Sequence, residues 1–538
     1  MFPMAGLDDL NEDVLLHIVS FHDKWEFWDK IPFVLSRTSK PLREIFFARV
    51  WRDCTWSTWD YCSKKLKLLP DHVTPWIKHL TVRWPVNINE QDRDTYELPI
   101  GGVTQLWPIL AQFQNVTTLT MLFMDMKYWA ALSSTCTSLP SLISLTIKPL
   151  TIWPNKTRPL TRPTGIANLK EFRVLLPAGS PSRWAQSARR EAASAADEGA
   201  VISSLIMPSI PTLELLELDG EHLPYLRINA TAQCSKLRHI KLCNLQPVLA
   251  DGAVLLDYFP DAPLLEELEL FLHRLQGESP ISLASRMERP DQLFPFLHTI
   301  KLYNPGTSDR FLRSLPANLT HLELTSSPFP VIRPFDRHAG RGAPTPYYAP
   351  GIQATRYTTP ETIAYLQGQI YPNLLVLKLA LRHTEEGPLT KEFANILVEA
   401  CPQMATLLIH TSCPSRSNAS VLVGDFASGL ERCTTLKFLY AMVEWAEFEN
   451  FSLSDDESDG SWRKFFMNHA RLIAQKLPGL REVAFLEVRT ARSGYFLYST
   501  ANGEIEKLKT GTLNLVQPFA NTSNWKSDPS DWWYDPNS

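Results

Sequence analysis

Glycine is scarce in this chain, 22 in 538 residues. That leaves little material for phosphate-cradling loops, and neither GxGxxG nor GxxxxGK followed by Ser or Thr occurs. GxSxG and HExxH are missing as well, so no hydrolase elbow or zinc-protease helix is on offer. No catalytic residue is assigned, no enzyme activity is expected, and no cofactor is implied. The 8 cysteines are scattered without a CxxC. They read as reduced core thiols, and no metal site is expected. No apolar run approaches the roughly 18 residues of a membrane span, and no apolar stretch follows a basic start. The expectation is a protein with no membrane contact, in the cytoplasm and/or nucleus. An excess of one charge is lacking too. With 53 basic and 57 acidic residues the net charge is −4, which gives no electrostatic footprint for nucleic acid.

What the chain does have is a phrase, apolar-x-x-apolar-x-apolar. It reads Leu213-Glu-Leu-Leu216-Glu-Leu218, Leu237-Arg-His-Ile240-Lys-Leu242, Leu265-Glu-Glu-Leu268-Glu-Leu270, Leu297-His-Thr-Ile300-Lys-Leu302 and Leu319-Thr-His-Leu322-Glu-Leu324. Further copies start at Leu374, Met404 and Leu480, and weaker ones at Ile77, Val116, Leu142, Leu169 and Leu436. Side chains alternate across a strand, so the fourth and sixth residues point one way and the fifth points the other. No copy buries its apolar side alone; stacking gives one core and one long exposed face. In the middle copies the fifth residue is Glu217, Lys241, Glu269, Lys301, Glu323 and Lys378, and alternating signs favour cross-strand pairing. Prolines just ahead of the phrase, among them Pro211, Pro263, Pro295 and Pro402, end the preceding segment and start an extended one.

The phrase resembles the leucine-rich repeat over about residues 75–490. Two features depart from that family. The usual Asn or Cys after the phrase is mostly missing, with Cys243-Asn244 nearest, and the spacing runs from 22 (Leu297 to Leu319) to 55 (Leu319 to Leu374). Four interrupting segments are expected near 178–200, 276–292, 326–359 and 451–461. The first ends in a possible helix. The last carries Asp455-Asp-Glu-Ser-Asp459 and reads as a solvated loop. His79, His239, His298 and His321 fall inside the phrase and read as exposed strand histidines rather than a metal array.

The first 56 residues do not repeat. Asn11 suits a helix N-cap, with Glu12 and Asp13 in the first turn, then Val14, Leu15, Ile18 and Val19 at helical spacing. A second apolar segment holds Phe33 and Leu35. Pro41 opens a third helix with Leu42, Ile45, Phe46 and Val50 on its face. Leu10-Asn-Glu-Asp-Val-Leu-Leu-His-Ile-Val-Ser20 and Leu35-Ser-Arg-Thr-Ser-Lys-Pro-Leu-Arg43 resemble an F-box, despite Asn11 where that family usually has Pro and an apparent insertion at Trp25–Lys30. The order of box and then repeats is similar to F-box proteins common in basidiomycete fungi. That resemblance implies a Skp-type adaptor as partner and, through it, a cullin-RING ubiquitin ligase. Carried over by position, the adaptor contacts are Leu10, Val14, Leu15, Ile18, Phe33 and Leu35.

The expected architecture is therefore an α/β leucine-rich-repeat solenoid (horseshoe) over 57–490, preceded by a small three-helix F-box-like domain at 1–56. A C-terminal capping segment and tail follow at 491–538, where Trp532-Trp533-Tyr534 is expected to pack back on the repeats. The expected role is substrate recognition for an SCF-type ligase, with an unidentified protein target on the repeats. The alternative is a repeat scaffold unrelated to ubiquitin, its N-terminal helices only capping the solenoid. In the later repeats the outward positions turn apolar, so Val376, Leu408, Phe438, Tyr440 and Met442 are the candidate target-binding residues.

Overall fold

A computed structural model describes residues 40–60, 65–66, 68–83, 100–124, 128–149, 163–174, 192–226, 234–249, 253–259, 262–275, 279–283, 294–303, 309–325, 352–353, 359–381, 389–413, 419–445, 456–487, 493–501 and 503–513. Two compact units divide the chain: Met1–Pro177 with Ala200–Leu213, and Ala178–Gly199 with Glu214–Ser538.

In the first unit a helix, α1 (Lys40–Arg52), leads directly into strand β1 (Asp53–Ser57). Then follow β2 (His79–Arg83), α2 (Ile100–Leu110), β3 (Thr118–Met124), α3 (Trp129–Cys136), β4 (Ser144–Pro149) and β5 (Glu171–Val174). The five strands pair in parallel and in chain order. β1 is a repeat that the sequence hid. Trp51-Arg-Asp-Cys54-Thr-Trp56 spells the phrase in unusual residues, and Cys54 and Trp56 are buried. Among the described residues the sheet starts at Asp53, within residues 1–56. α1 matches the third expected helix and buries Leu42 and Phe46.

Helix α4 (Ala192–Ile206) follows. The second unit then continues with β6 (Leu215–Asp219), β7 (His239–Leu245), β8 (Glu267–Leu275), β9 (Thr299–Tyr303), β10 (His321–Thr325), α5 (Thr359–Leu366) and β11 (Val376–Ala380). Next come α6 (Lys391–Ala400), β12 (Thr406–Cys413), α7 (Ala419–Leu430), β13 (Phe438–Trp445), α8 (Asp456–Lys476) and β14 (Glu482–Glu487). β6 through β14 pair in parallel, again in chain order. An antiparallel pair, β15 (Ser493–Ala501) and β16 (Glu504–Leu513), extends the sheet from β14. Mixed α/β architecture with a long sheet of repeating strands is what the phrase called for.

Every copy of the phrase lands on a strand. Its first, fourth and sixth residues form the core; Leu265, Leu268 and Leu270, for instance, are all buried. Each such side chain contributes about 1.5–3 kcal/mol of burial. A further buried row lies three residues ahead of the phrase, with members as different as Phe113, Ile210, Cys234 and Tyr371. Its carbonyl accepts the amide of the first phrase residue: Leu237 from Cys234 (3.0 Å), Leu265 from Ala262 (3.2 Å), Met404 from Cys401 (3.1 Å). That is a tight turn, and the prolines sit at its second position, which proline's fixed φ favours. They make turns, rather than only ending helices. Within each unit, successive repeats are also tied to one another. The second and third phrase amides both donate to one carbonyl, as Ala405 and Thr406 do to Leu375 (2.8 and 2.9 Å).

The helix expected at the end of the 178–200 segment is present as α4, which runs on to Ile206. One expected loop differs. From Asp456 the acidic run is the first turn of α8, not a loop. Residues 451–455 and 326–351, Trp532–Tyr534 and the head through Ser39 lie outside the described residues. No helix among the described residues is long and apolar enough to cross a membrane.

Candidate interaction face

The candidate site is the outward strand face of the second unit, built from three parallel rows. The central row is the fifth phrase residue. Register aligns Glu217 with Lys241, Lys241 with Glu269, Glu269 with Lys301, Lys301 with Glu323 and Glu323 with Lys378. Lys241 pairs with Glu217 at 2.8 Å, Lys301 with Glu269, and Lys378 with Glu323 at 3.0 Å. The expected alternating ladder is thus present, and it is shielded: the Lys378 and Glu323 side chains are each 7% exposed. Burial alone would push the Glu323 carboxyl up. Lys378 and Lys301 outweigh it and hold the group below the usual carboxylate range. Burial likewise works against the Lys301 ammonium, but Glu269 and Glu323 raise it overall.

The third phrase residues form a second row. His239 Nδ1 lies 3.2 Å from Glu267 Oε2, and that hydrogen bond raises the imidazole above its ordinary value. His321 differs from the exposed histidine expected of it. Its Nε2 is out of water with no hydrogen-bond partner. Burial, seconded by Lys378, pushes the ring down to about 3. Among the described residues no group of three or more His, Cys, Asp or Glu is placed to hold a metal ion. The residues just past the phrase make a third row, where Phe271 meets Tyr303 edge-on at 4.6 Å and the Lys241 ammonium lies 5.5 Å from the Phe271 ring centre.

Beyond Lys378 the central row loses its charge, continuing in register as Leu408, Tyr440 and Ala484. Val376, Leu408 and Phe438 are half-buried, and Leu375 beside them is 48% exposed. Tyr440 is not the exposed hot spot expected. It is 1% exposed, stacks on Phe438 at 6.4 Å and donates its hydroxyl to Glu482 (3.2 Å). The stack on Phe438 and the bond to Glu482 hold the ring at this position, so residue type alone did not reveal its burial. Met442 is on β13, aligned with His410 and Leu486. The adaptor candidates Leu10, Val14, Leu15, Ile18, Phe33 and Leu35 lie outside the described residues.

In the third row the Cys243 thiol donates to Glu217 Oε1 of the central row at 4.0 Å, and burial pushes that thiol up. The chemistry of the three rows is that of a surface with its charges already neutralised and an apolar stretch at one end. No family model matches the chain, and no curated protein matches it. Among solved structures it is similar to a chain of the yeast Rad7–Elc1 complex, at 12% identity and a TM-score of 0.32, covering 85% of this chain and 100% of that one. Likeness at that level carries no inference about this protein.

Proposed function

We propose that this chain is the substrate-recognition subunit of an SCF-type ubiquitin ligase. Residues 1–56 would dock a Skp-type adaptor, and the outward face of the repeats would hold the target. The observation that carries the reading is the change along one unbroken register, from paired charges at Glu217–Lys378 to the uncharged Leu408, with Val376 and Phe438 beside it. A target gains little by competing with internal ion pairs, and more by covering half-buried apolar side chains. The mechanism is proximity: the head fixes the adaptor, the repeats fix the target, and the ligase supplies the chemistry.

One observation favours the scaffold reading. α1 buries Leu42 and Phe46 in the first unit and runs without a break into β1, as a cap would. Co-purification with a Skp-type adaptor separates the two. The full chain is expected to bind, and Leu15→Asp with Ile18→Asp to abolish binding, since an unpaired charge in an apolar interface is strongly unfavourable. An adaptor that ignores the wild type, or binds the double variant equally well, leaves the head as a cap.

A further inference from the structure

Cys401 and Cys433 occupy the same position in successive repeats, three residues ahead of the phrase. The strands they precede are in register, Thr406 opposite Phe438, and each cysteine stands five residues upstream of its partner in that pair. Both make the same turn: the Met404 amide donates to Cys401 (3.1 Å) and the Leu436 amide to Cys433 (3.2 Å). The upper turn sits on the lower one. Cys433 Sγ donates to the Met404 carbonyl at 3.5 Å, and Thr435 Oγ1 donates to the carbonyls of Met404 (3.0 Å) and Pro402 (3.2 Å). Stacked positions on paired strands are about 4.8 Å apart. That falls inside the Cα separation of roughly 4.4–6.8 Å that a disulfide bridges.

Neither thiol is bonded to another, and they are 0% and 5% exposed. Burial, and then the neighbouring Cys433, push the Cys401 thiol up to about 12, so at rest it is an inert core group. At the same position ahead of the phrase, the repeat after Cys234 carries Ala262 in place of a second cysteine.

We propose that Cys401 and Cys433 close into a disulfide between successive repeats when the chain meets an oxidising low-molecular-weight disulfide. The less buried Cys433 attacks first. Its thiolate displaces one small thiolate and forms a mixed disulfide. The Cys401 thiolate then attacks the Cys433 sulfur, forms the S–S bond between them and expels the second small thiolate. Two protein thiols lose two protons and two electrons, and the small disulfide is reduced to two thiols. The staple spans α7 and lies just ahead of Leu408 and Phe438, so redox state sets the rigidity of the repeats that carry the apolar stretch.

The test uses the full chain, equilibrated in glutathione buffers from reducing to oxidising, quenched with acid, alkylated and mapped without reduction. Expected are an intact mass lower by two hydrogens, a peptide linking Cys401 to Cys433, and a higher melting temperature for the oxidised chain. Cys401→Ala and Cys433→Ala should each remove both the link and the melting shift, while Cys234→Ser removes neither. Melting under reducing conditions confirms that each variant is folded. The proposal is overturned if the folded wild type keeps both thiols in fully oxidised glutathione, retains a stable glutathione adduct at either position, or links either cysteine elsewhere. A link that forms only in urea overturns it equally.

Discussion

Removing the Lys378 ammonium tests whether the ladder is a set of buried pairs or a row of surface charges. Lys378→Met keeps most of the stem and deletes the group 3.0 Å from Glu323 Oε2. An exposed pair is worth about 0–1 kcal/mol. These two side chains are each 7% exposed, and stranding one member of a buried pair costs about 3–5 kcal/mol. Glu323 keeps Lys301 on its other side, although Lys301 is shared with Glu269, so the loss should fall near the lower end, about 3 kcal/mol. Adding Glu323→Leu removes the stranded carboxylate. The double variant should recover most of the loss, a coupling of about 2 kcal/mol or more. Urea unfolding followed by tryptophan fluorescence measures the free energies, and hydrogen exchange at β10 and β11 localises them. The sign with pH is fixed as well. In the wild type the depressed Glu323 carboxyl contributes stability above its unfolded value near 4.5, and that contribution is lost as pH falls through the lower folded value. In Lys378→Met the stranded carboxyl is best off protonated, so the deficit should narrow as pH falls toward 4.5, and further below it as the wild type loses its own contribution. A single variant costing under about 1 kcal/mol, or a double variant no better than the single, refutes the buried ladder.

Three more outcomes follow from the same face and its supports. His321 sits at about 3, below the unfolded 6.5, so the unfolded chain takes up the proton first and stability falls as pH drops through that window; His321→Gln should flatten the slope, sparing about 2 kcal/mol between pH 7.5 and 5 in urea titrations. Asp309 accepts the amides of Leu283 (2.7 Å) and Phe311 (2.9 Å) while 6% exposed, so Asp309→Ala should cost about 3 kcal/mol by thermal melting, and Asp309→Asn less. Phe438→Ala should weaken target capture by about 2 kcal/mol in pull-downs without touching adaptor binding, whereas Tyr440→Ala should lower the melting temperature; normal capture by a folded Phe438→Ala would place the target elsewhere.

The core was legible because three phrase positions repeat with little change of residue type, and the ladder because opposite charges recur at one position. The buried row ahead of the phrase was not. Its members include Phe113, Cys234, Ala262 and Tyr371, and only the carbonyl, which every residue has, does the repeated work. The same holds for two Asn-x-Ser/Thr sequences: Asn115 and Asn318 spend their amides on the carbonyls of Pro75 (2.7 Å) and Pro295 (2.9 Å) in the preceding turn. Other signals were present and unread. Asn502-Gly503 between alternating segments is a strong hairpin mark, and Gly503 at φ +83° makes the turn from β15 to β16. Tyr440 shows the opposite limit. Whether an outward strand residue meets water depends on its cross-strand neighbours, which no single phrase contains.

The ladder also answers a problem that repetition creates. Parallel strands with nearly identical apolar faces can pair in the wrong order, and the chain from Leu319 to Leu374 is long enough to let a repeat loop out. Alternation makes that error unfavourable. Looping out β9 would set Glu269 against Glu323, and looping out β10 would set Lys301 against Lys378, like charges facing where opposite ones now pair. Past Lys378 another constraint takes over. α6 and α7 pack so closely that a Cβ on Gly429 would come within 2.5 Å of the Ala394 Cβ and the Lys391 carbonyl, so helix packing fixes the order there. The strand face of those repeats is relieved of ion pairing, and that is where it turns apolar, at Val376, Leu408 and Phe438. The position of the apolar stretch on this sheet therefore follows from how each half of the unit keeps its strands in order.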